Sequence, residues 1–483
     1  MTPISDAKIS LVRALGLLAA VSIIIGNVVG TGVFLKARVM TCNVGTPGWV
    51  IAAWIAAGIL SLAGALTYAE LSAMKPEAGG EYVFLRDAYG RVWSFLYGWM
   101  QIFIAKTGSQ ASVAVAFAIF LNDFLDGGLK QTLLKTNILG YDFEFTSLQI
   151  IAVMMIVIIT TINCASVSFT GQLATYFTVI KIALILLVGV GAFIFADGNF
   201  AHFGMENAGG TCEGVDNSVK YGAAGFTFMA GFGAAMLGAL WGYDGWNNLT
   251  LVAGEVKNPQ KNIPLALIGG TILIIILYVF INIAYFYILT PTEIASVSAD
   301  SSVAREVAIR FLGAGAVVLM TAGLMASSLG TLHTSVLTGA RVPYAMAQDG
   351  LMFKSLGKLS EGTRVPVGAL IVQGIWACIL AMSGSFDTLT NYVIFGSWIF
   401  YAFVTASVFV FRKKFPDAPR PYKAFGYPVV PILFLLVAGW LLINTILTSP
   451  MQSFIGIFLI ALGLPVYYYL TSGKRTDADE NLN

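Results

Sequence analysis

The sequence predicts an all-α integral membrane protein that crosses the bilayer twelve times. Its 483 residues are 57% hydrophobic and 11% charged, whereas soluble domains carry about 25% charged residues. Mean hydropathy is +0.81, and many apolar runs have the length of about 20 residues that a helix needs to cross a bilayer. Two of these runs, at 11–39 and 222–253, contain clusters of glycine. We therefore expect a polytopic helical fold in which two spans are discontinuous.

The spans follow the apolar runs, between a short polar tail at 1–10 and a charged tail at 472–483. The first run is too long for the apolar core of a signal peptide, so we expect no removable leader. The loops are short or polar, and none is expected to hold a folded domain. The predicted spans are 11–39, 46–73, 92–121, 146–165, 170–196, 222–253, 264–290, 313–340, 366–384, 386–411, 427–446 and 451–471.

The distribution of lysine and arginine predicts the orientation. Of the 27 Lys and Arg residues, 18 lie in segments on the side of the N-terminus, 7 lie on the opposite side and 2 lie within spans. An excess of these residues marks the cytoplasmic side of a membrane protein. Because the number of spans is even, both termini are predicted to be cytoplasmic, in a plasma or inner cell membrane.

Composition also argues against several classes of function. The net charge is only +2, which gives no reason to expect a nucleic-acid partner. The four cysteines lack the spacing of a metal site, and the chain shows no glycine-rich phosphate-binding loop. We therefore expect no metal, no cofactor and no ATP-driven pump. Cys42 and Cys212 would form a disulfide only if both face an oxidising side, which the sequence leaves open.

The first span contains the stretch around which we expect the fold to be organised, Gly30-Thr31-Gly32. Each interior glycine costs a helix about 1 kcal/mol relative to alanine, so the helix is expected to unwind here. Unwound backbone at membrane depth is tolerated only where it is buried in protein or lines a polar cavity. A close helix–helix crossing would also explain the small residues, so this stretch alone leaves both packing and ligand binding open.

The sixth span repeats this pattern. Its glycines precede the segment Trp241-Gly242-Tyr243-Asp244-Gly245-Trp246. Because five spans separate the two breaks, the broken spans are predicted to have opposite orientations. Matching interrupted spans in two halves indicate an inverted-repeat transporter with its binding site at the breaks. The predicted repeats are 11–196 and 222–411, followed by two peripheral spans within 427–471.

A set of short motifs runs in order along nearly the whole chain. They are Gly30-Thr31-Gly32-Val33-Phe34, Thr67-Tyr68-Ala69-Glu70-Leu71, Gly79-Gly80-Glu81-Tyr82, Tyr243-Asp244-Gly245-Trp246-Asn247-Asn248, Glu255-Val256-Lys257-Asn258-Pro259, Ser335-Val336-Leu337-Thr338-Gly339-Ala340-Arg341 and Arg420-Pro421-Tyr422-Lys423. Together they resemble the amino acid–polyamine–organocation superfamily of transporters, and more narrowly its L-type amino acid transporter branch.

The resemblance implies a LeuT-like fold of five plus five spans in inverted repeat, with two peripheral spans. It also implies amino acid transport by alternating access, commonly as exchange. We expect a sodium-independent exchanger of neutral L-amino acids, with cationic ones left open. The alternative is a proton-coupled importer of amino acids or polyamines on the same scaffold. A channel and a membrane enzyme are disfavoured, because the sequence shows neither a filter-like repeat nor a catalytic set at one depth.

The resemblance also bears on partners. Eukaryotic members of the branch pair with a glycoprotein through a cysteine between spans three and four, and residues 122–145 contain none. No disulfide-linked ancillary subunit is therefore expected. The expected partners are an amino acid substrate and the lipid bilayer.

The two breaks predict the chemistry of the site. A zwitterionic amino acid needs donors for its carboxylate and acceptors for its ammonium. Amides of Gly30, Thr31 and Gly32 would face the carboxylate at the start of a half-helix, and carbonyls at 25–28 and near Trp241 would accept from the ammonium. The resemblance implies the same site, with substrate-binding positions at Val28, Thr31, Gly32, Trp241, Gly242 and Asp244.

Two side chains of the second break have alternative interpretations. Trp241 either closes over the substrate, as the resemblance implies, or packs as an ordinary aromatic residue. Asp244 is a carboxylate at membrane depth, which is costly and usually functional or paired. It either contacts a cationic or polar substrate side chain or forms an internal ion pair with a lysine.

Two lysines lie too deep in their spans to reach the interface easily. Lys181 is expected to replace a bound cation, because the resemblance places a lysine where sodium-coupled relatives hold the ion; a coupled proton is the alternative. Lys106 is expected to be a structural partner of Asp244 or Glu70. The branch often has proline after a charged residue here, and this chain has Thr107 instead, which puts the local bend in doubt.

The remaining candidates are polar residues with supporting roles. Glu70 and Glu255 are expected to form ion pairs at the inner end, for example with Arg341. Asn282 either bonds across helices or reaches the substrate. His333 is expected to be a packing residue whose hydrogen bonds are satisfied, with titration as the alternative.

Overall fold

The computed structural model describes residues 11–125, 127–138, 141–298, 301–383, 386–448 and 450–480. These residues form helices and one short hairpin. In chain order the helices are α1 (Leu17–Val28), α2 (Gly32–Val44), α3 (Pro47–Met74), α4 (Glu81–Tyr89), α5 (Arg91–Met100), α6 (Lys106–Phe124), α7 (Ser147–Asn163), α8 (Val167–Phe195), α9 (Phe228–Tyr243), α10 (Pro259–Ile288), α11 (Pro291–Ala295), α12 (Val303–Leu312), α13 (Gly315–Gly339), α14 (Arg341–Gln348), α15 (Val367–Ser383), α16 (Phe386–Lys414), α17 (Val429–Thr448), α18 (Pro450–Ala461) and α19 (Gly463–Glu480).

Long apolar helices make this a multi-pass membrane protein. Within the described ranges, seven helices are long and apolar enough to cross a bilayer. The pair α1 and α2, bent by 40°, would be an eighth span. Two shorter apolar helices, α7 and Val367–Met382 of α15, add to these.

Both glycine-rich spans are interrupted. The first run forms α1 and α2, separated at residues 29–31. The sixth forms α9 and then a 3₁₀ segment at Asn248–Glu255. It begins at Phe228 rather than at 222, because Gly222 and Gly225 adopt φ angles of 77° and 84° and end the preceding loop in turns.

The packing brings the two interruptions together. Helix α1 packs against α8, α10 and α13, while α2 packs against α9. Helix α13 also packs along α6. The breaks therefore lie in the interior of the helical assembly, beside α6 and α13.

The third predicted span is irregular although it lacks proline. Residues Gln101–Ala105 form a π-helical segment between α5 and α6. A π segment frees a carbonyl from the normal helical pattern. The Thr107 hydroxyl donates to the Ile102 carbonyl at 2.7 Å, so threonine satisfies the irregular backbone at the position where the resembled branch often has proline.

Two features depart from the predicted all-α fold with short tails. Strands β1 (Thr132–Ile138) and β2 (Tyr141–Thr146) pair in antiparallel fashion in the loop after α6. The sequence of β2 alternates polar residues with aromatic ones, which is typical of a strand in a hairpin. At the other end, α19 continues to Glu480, past the predicted start of the tail at 472.

A disulfide joins the end of α2 to the loop before α9. Cys42 and Cys212 are bonded. The backbone amide of Tyr221 donates to the Cys42 carbonyl at 2.8 Å, and that of Asn207 donates to the Gly45 carbonyl at 2.7 Å. The loop between α8 and α9 is thereby fixed to the C-terminal end of α2.

Candidate functional site

A cavity lies at the two helix breaks. It is bounded by the first break, by α9 and the segment after it, and by α6, α13 and α16. Its lining is polar for a membrane interior and includes most of the predicted substrate-binding positions. The lining residues are Asn27, Val28, Gly30, Thr31, Gly32, Gln101, Ala105, Lys106, Ser109, Val113, Trp241, Asp244, Asn248, Thr331, Ser335, Ser397 and Tyr401.

The first break presents backbone donors to this cavity. The Gly30 amide donates to the Val28 carbonyl at 2.8 Å, so it is already engaged. In the described part of the chain, the amides of Thr31 and Gly32 donate to no acceptor. Both residues line the cavity at the N-terminus of α2, where the helix dipole favours an anion.

The same break also presents a backbone acceptor that is unpaired within the described residues. Of the carbonyls at 25–28, that of Ile25 accepts from the Val29 amide, and that of Val28 accepts from Gly30 and from the Tyr278 hydroxyl. The carbonyl of Asn27 accepts no hydrogen bond from any described residue. Unpaired donors and an unpaired acceptor thus lie within five residues of each other, which suits a zwitterion.

Tyr278 holds the two breaks together. Its hydroxyl lies 2.9 Å from the Val28 carbonyl oxygen and 2.9 Å from the Gly242 carbonyl oxygen. The ring packs edge-on against Trp54, and the residue is fully buried. This clamp explains why the Gly242 carbonyl, which we expected to face a substrate ammonium, is engaged within the protein. Sequence reasoning missed Tyr278, because its role depends on the arrangement of three separate spans.

The two breaks also touch directly. A Cβ atom on Gly32 would lie 2.8 Å from the Gly242 Cα atom and 3.5 Å from Trp241 Cδ1. No side chain fits at that separation from backbone. Glycine is therefore required at Gly32 for close packing as well as for access to its amide, so the two interpretations of this stretch are compatible.

Lys181 is fully buried and bonds the first break to α13. Its ammonium donates to the Gly26 carbonyl at 2.6 Å and to the Thr331 hydroxyl at 2.7 Å. Lys181 thus lies between the first broken helix and α13, and its hydrogen bonds hold the backbone at the end of α1 against α13. Thr331 also lines the cavity, so this lysine lies directly behind the cavity wall.

Asp244 caps α9 and faces the cavity. Its Oδ1 atom accepts from the Tyr401 hydroxyl at 2.8 Å. It forms no ion pair with any described lysine or arginine, in contrast to Glu70 and Glu255. The internal pair with a lysine that we considered is therefore not formed at contact distance.

Lys106 forms its direct hydrogen bond with a residue other than the two we expected, although its charge acts on Asp244. Its ammonium donates to Asn248 Oδ1 at 2.5 Å, rather than to Asp244 or Glu70. Asn248 begins the 3₁₀ segment after the second break, and the break brings its side chain toward α6. Glu70 lies instead against Arg412 of α16, with a shortest distance of 2.6 Å, and accepts from the Ala424 amide at 2.6 Å.

Two buried polar atoms in the lining have no partner. These are Gln101 Oε1 and Ser335 Oγ, which bond to nothing in the described residues. Buried polar atoms are nearly always hydrogen-bonded, so both indicate a ligand or water in the cavity. The signal in the sequence was polar spacing along apolar helices: Gln101 and Ser109 are eight residues apart, and Thr331 and Ser335 are four apart.

Two candidates lie away from the cavity. Asn282 donates to the Tyr278 carbonyl at 2.8 Å within its own helix and does not line the cavity. His333 lies 3.0 Å from Asn163 Nδ2 and 2.9 Å from the Thr170 carbonyl, so both ring nitrogens have partners. His333 is thus the packing residue that we expected.

The end of the assembly near Leu15 is closed by two sets of contacts. The Leu15 amide donates to the Glu255 carbonyl at 2.9 Å, and the Lys257 amide donates to the Leu15 carbonyl at 2.8 Å. In addition, the Arg341 side chain pairs with the Glu255 carboxylate at 2.7 Å, and both side chains are fully buried. The expected pairing of Glu255 with Arg341 is confirmed. The segment before the first break is thus joined at this end to the segment after the second break.

Comparison with known proteins gives a consistent result across the whole chain. The family model "Amino acid permease" matches residues 15–470. The chain is 31% identical over 467 residues to the serine/threonine exchanger SteT of Bacillus subtilis (strain 168), covering 96% of this chain and 98% of that one.

Two mammalian proteins are similarly related. The b(0,+)-type amino acid transporter 1 of Mus musculus is 30% identical over 468 residues, covering 95% of this chain and 88% of the relative. The large neutral amino acids transporter small subunit 2 of Mus musculus is 30% identical over 461 residues, covering 95% and 81%.

Proposed function

The chain belongs to the amino acid permease family, and from this premise we propose that it exchanges amino acids across the cell membrane by alternating access. It is a transporter rather than an enzyme, as its family is. The proposed substrates are neutral L-amino acids, and the proposed exchange is independent of sodium. Its relatives include proteins named as a serine/threonine exchanger and as amino acid transporters, which supports this class of substrate.

The observation that carries the proposal is the first break. Within the described residues, Thr31 and Gly32 offer unpaired amides and Asn27 offers an unpaired carbonyl, all on one cavity. A substrate carboxylate bonded to the amides and an ammonium bonded to the carbonyl would satisfy every one of these groups. A polyamine has no carboxylate and would leave the two amides unpaired, so it fits less well.

We propose that the fold is an inverted repeat of five plus five spans with two peripheral spans. Its support is the pair of interruptions, at 29–31 and 244–247, in helices five spans apart. The proposed repeats are 11–196 and 222–411, with peripheral spans at 427–471. Both termini are proposed to be cytoplasmic, so the Leu15 end would be the inner gate.

Sodium independence rests on Lys181. A fixed ammonium between the Gly26 carbonyl and Thr331 already supplies the positive charge that a bound cation would bring to the unwound backbone. Repulsion and lack of space would exclude a sodium ion there.

Asp244 is proposed to extend the range of substrates. Its carboxylate has a hydroxyl partner, Tyr401, but no ion-pair partner in the described chain. A cationic side chain of the substrate would supply one. We expect Asp244→Asn to retain exchange of alanine and to lose competition by arginine.

A disulfide-linked ancillary subunit is not part of the proposal. Cys42 and Cys212 are bonded to each other, and residues 122–145 contain no cysteine.

The test uses purified protein in liposomes, with sodium absent and pH equal on both sides. Labelled alanine, serine, leucine and arginine are offered outside vesicles that are either loaded with an unlabelled amino acid mixture or empty. Exchange predicts uptake only into loaded vesicles. Uptake into empty vesicles that rises when an inward proton gradient is then imposed would favour the proton-coupled importer instead. Uptake of no label would contradict the proposal.

A further inference from the structure

Glu81 is a buried carboxylate that the proposed exchange cycle leaves without a role. It is the first residue of α4 and follows Gly79 and Gly80, whose φ angles of 96° and 44° turn the chain inward. The side chain is fully buried. The Tyr68 hydroxyl donates to it at 2.9 Å, and the Tyr97 hydroxyl donates to its other oxygen. In the described chain Glu81 has no ion-pair partner, so its charge, when present, is not neutralised by contact.

The groups that face Glu81 come from every element around it. Tyr68 lies on α3, Tyr97 on α5, Tyr401 on α16 and Lys106 on α6. Burial raises the pKa of the Glu81 carboxyl, and the hydrogen bonds from Tyr97 and Tyr68 oppose that shift. The hydroxyls thus stabilise the ionised form, while burial favours the protonated one.

Polar groups connect Glu81 with the cavity. Asn247, in the second break, faces the Glu81 carboxylate. The Tyr401 hydroxyl lies 3.4 Å from Asn247 Oδ1 and 2.8 Å from Asp244 Oδ1. Lys106 lines the cavity and faces both carboxylates. Glu81, Asp244 and Lys106 therefore form one charge cluster, of which Asp244 and Lys106 line the cavity.

When a substrate enters the cavity, the net charge of this cluster becomes energetically more costly. With both carboxylates ionised and Lys106 protonated, the cluster carries one net negative charge. A neutral amino acid is a zwitterion and adds no net charge, yet it displaces water from Asp244 and Lys106. An uncompensated charge is costly away from water, so a proton on one carboxylate becomes more favourable.

We propose that Glu81 is a proton-binding site that takes up a proton when a neutral amino acid fills the cavity, an inference that rests on the proposed function. An O–H bond forms on a Glu81 oxygen, and the proton comes from hydronium or buffer acid in the surrounding water.

The position of Glu81 also links it to the second break. The Gly79 amide donates to the Leu251 carbonyl at 2.9 Å. A Cβ atom on Gly80 would lie 2.5 Å from the Thr250 carbonyl carbon. Any movement of the segment after the second break therefore changes the surroundings of Glu81, and the proton becomes coupled to that movement.

The test measures proton uptake on substrate binding. Purified protein in weakly buffered solution with a pH indicator receives saturating alanine or leucine, while binding of the labelled amino acid is measured in parallel. We expect uptake approaching one proton per amino acid bound. Glu81→Gln should bind the amino acid but take up no proton. Glu293→Gln, which removes a partly exposed carboxylate paired with Arg310, should behave as the unmodified protein.

Binding without proton uptake in the unmodified protein, or equal uptake in Glu81→Gln, would overturn the inference. Absence of amino acid binding would instead contradict the proposed function. If Glu81→Gln does not fold, Tyr97→Phe provides the test. This variant removes one hydrogen-bond donor from the ionised Glu81 carboxylate. The pH at which proton uptake is half maximal should therefore rise. An unchanged midpoint would refute the assignment.

Discussion

Gly32 lies at a close contact between the two broken helices. Its amide is free in the described chain, and an added Cβ would lie 2.8 Å from the Gly242 Cα atom. Because that atom belongs to the backbone of the other break, it has no side-chain rotamer by which to yield. The residue thus limits both the distance between the breaks and the access of a substrate to the amide.

We predict that Gly32→Ala abolishes exchange while the protein still reaches the membrane. The methyl group forces the breaks apart and shields the amide. Gly48→Ala is the matched control, because a Cβ on Gly48 meets nothing within 4 Å. Labelled amino acid uptake into loaded liposomes measures both variants. Normal uptake by Gly32→Ala would show that the breaks do not form the site.

The second prediction at this scale concerns Lys181. Lys181→Met keeps an apolar stem but loses the hydrogen bonds to the Gly26 carbonyl and Thr331. A hydrogen bond to a charged group contributes about 1.5–3 kcal/mol, so we expect exchange to fall about tenfold or more, and added sodium not to restore it. Lys130→Met, on an exposed loop, should leave exchange unchanged. Full activity of Lys181→Met would contradict the assigned role.

Residue identity predicted some of these contacts and not others. Glycine content predicted the breaks, because glycine weakens a helix wherever it stands. The hydrogen bond of Lys106 to Asn248 and the double contact of Tyr278 could not be predicted, because they depend on how distant spans pack. The sequence shows that a buried ammonium or hydroxyl is costly at membrane depth, but it does not show which partner lies near that group.

At the scale of elements, the buried pair of Glu255 and Arg341 joins α14 to the segment after the second break. Both side chains are fully buried, and Arg341 donates to both carboxylate oxygens, at 2.7 and 2.9 Å. Removing one charge of a buried pair costs about 3–5 kcal/mol, because the other charge is left unpaired.

We therefore predict that Glu255→Gln lowers the thermal stability of the purified protein, and that adding Arg341→Gln restores part of the loss. Glu293→Gln should change stability by less than about 1 kcal/mol, since its pair with Arg310 is partly exposed. Thermal unfolding in detergent measures all three. An unaltered melting temperature in Glu255→Gln would show that the pair does not stabilise the closed end.

Most element boundaries followed the apolar runs of the sequence, although the first span covers 17–44 rather than 11–39. The start of α9 did not, because Gly222 and Gly225 serve turns although they lie within an apolar run. The π segment before α6 was also missed. Its sequence sign, a threonine in place of a proline, is too weak to distinguish an irregular helix from a straight one.

At the scale of the molecule, the breaks, the cavity and the closed end form one arrangement. The cavity lies between the broken helices and the unbroken α6, α13 and α16. Opening the end near Leu15 requires the loss of its bonds to Glu255 and Lys257 and the separation of the buried ion pair. Alternating access would therefore move the segments beyond each break while the unbroken helices keep the cavity wall in place.

The general class of this molecule was predictable, because composition and apolar run length determine that a chain is a multi-pass membrane protein. The family followed from ordered motifs. The substrate could not be predicted from the sequence, because substrate binding depends on which polar groups remain unpaired around the cavity. Gln101 and Ser335 became candidates only when the structure showed Gln101 Oε1 and Ser335 Oγ buried without hydrogen-bond partners among the described residues.

If the cavity at the breaks binds the amino acid, the substrate should protect a cysteine placed in the cavity from alkylation. Ser109 lines the cavity and is partly accessible. Ser109→Cys would be made with Cys164→Ser and Cys378→Ser, which removes the free cysteines. A cysteine at Lys220, on the loop before α9, serves as the control.

We predict that a transported amino acid slows alkylation at position 109 in a concentration-dependent manner and leaves position 220 unaffected. The concentration that gives half protection should match the one that half saturates exchange. If saturating substrate leaves the alkylation rate at position 109 unchanged while exchange remains active, the substrate does not bind in this cavity.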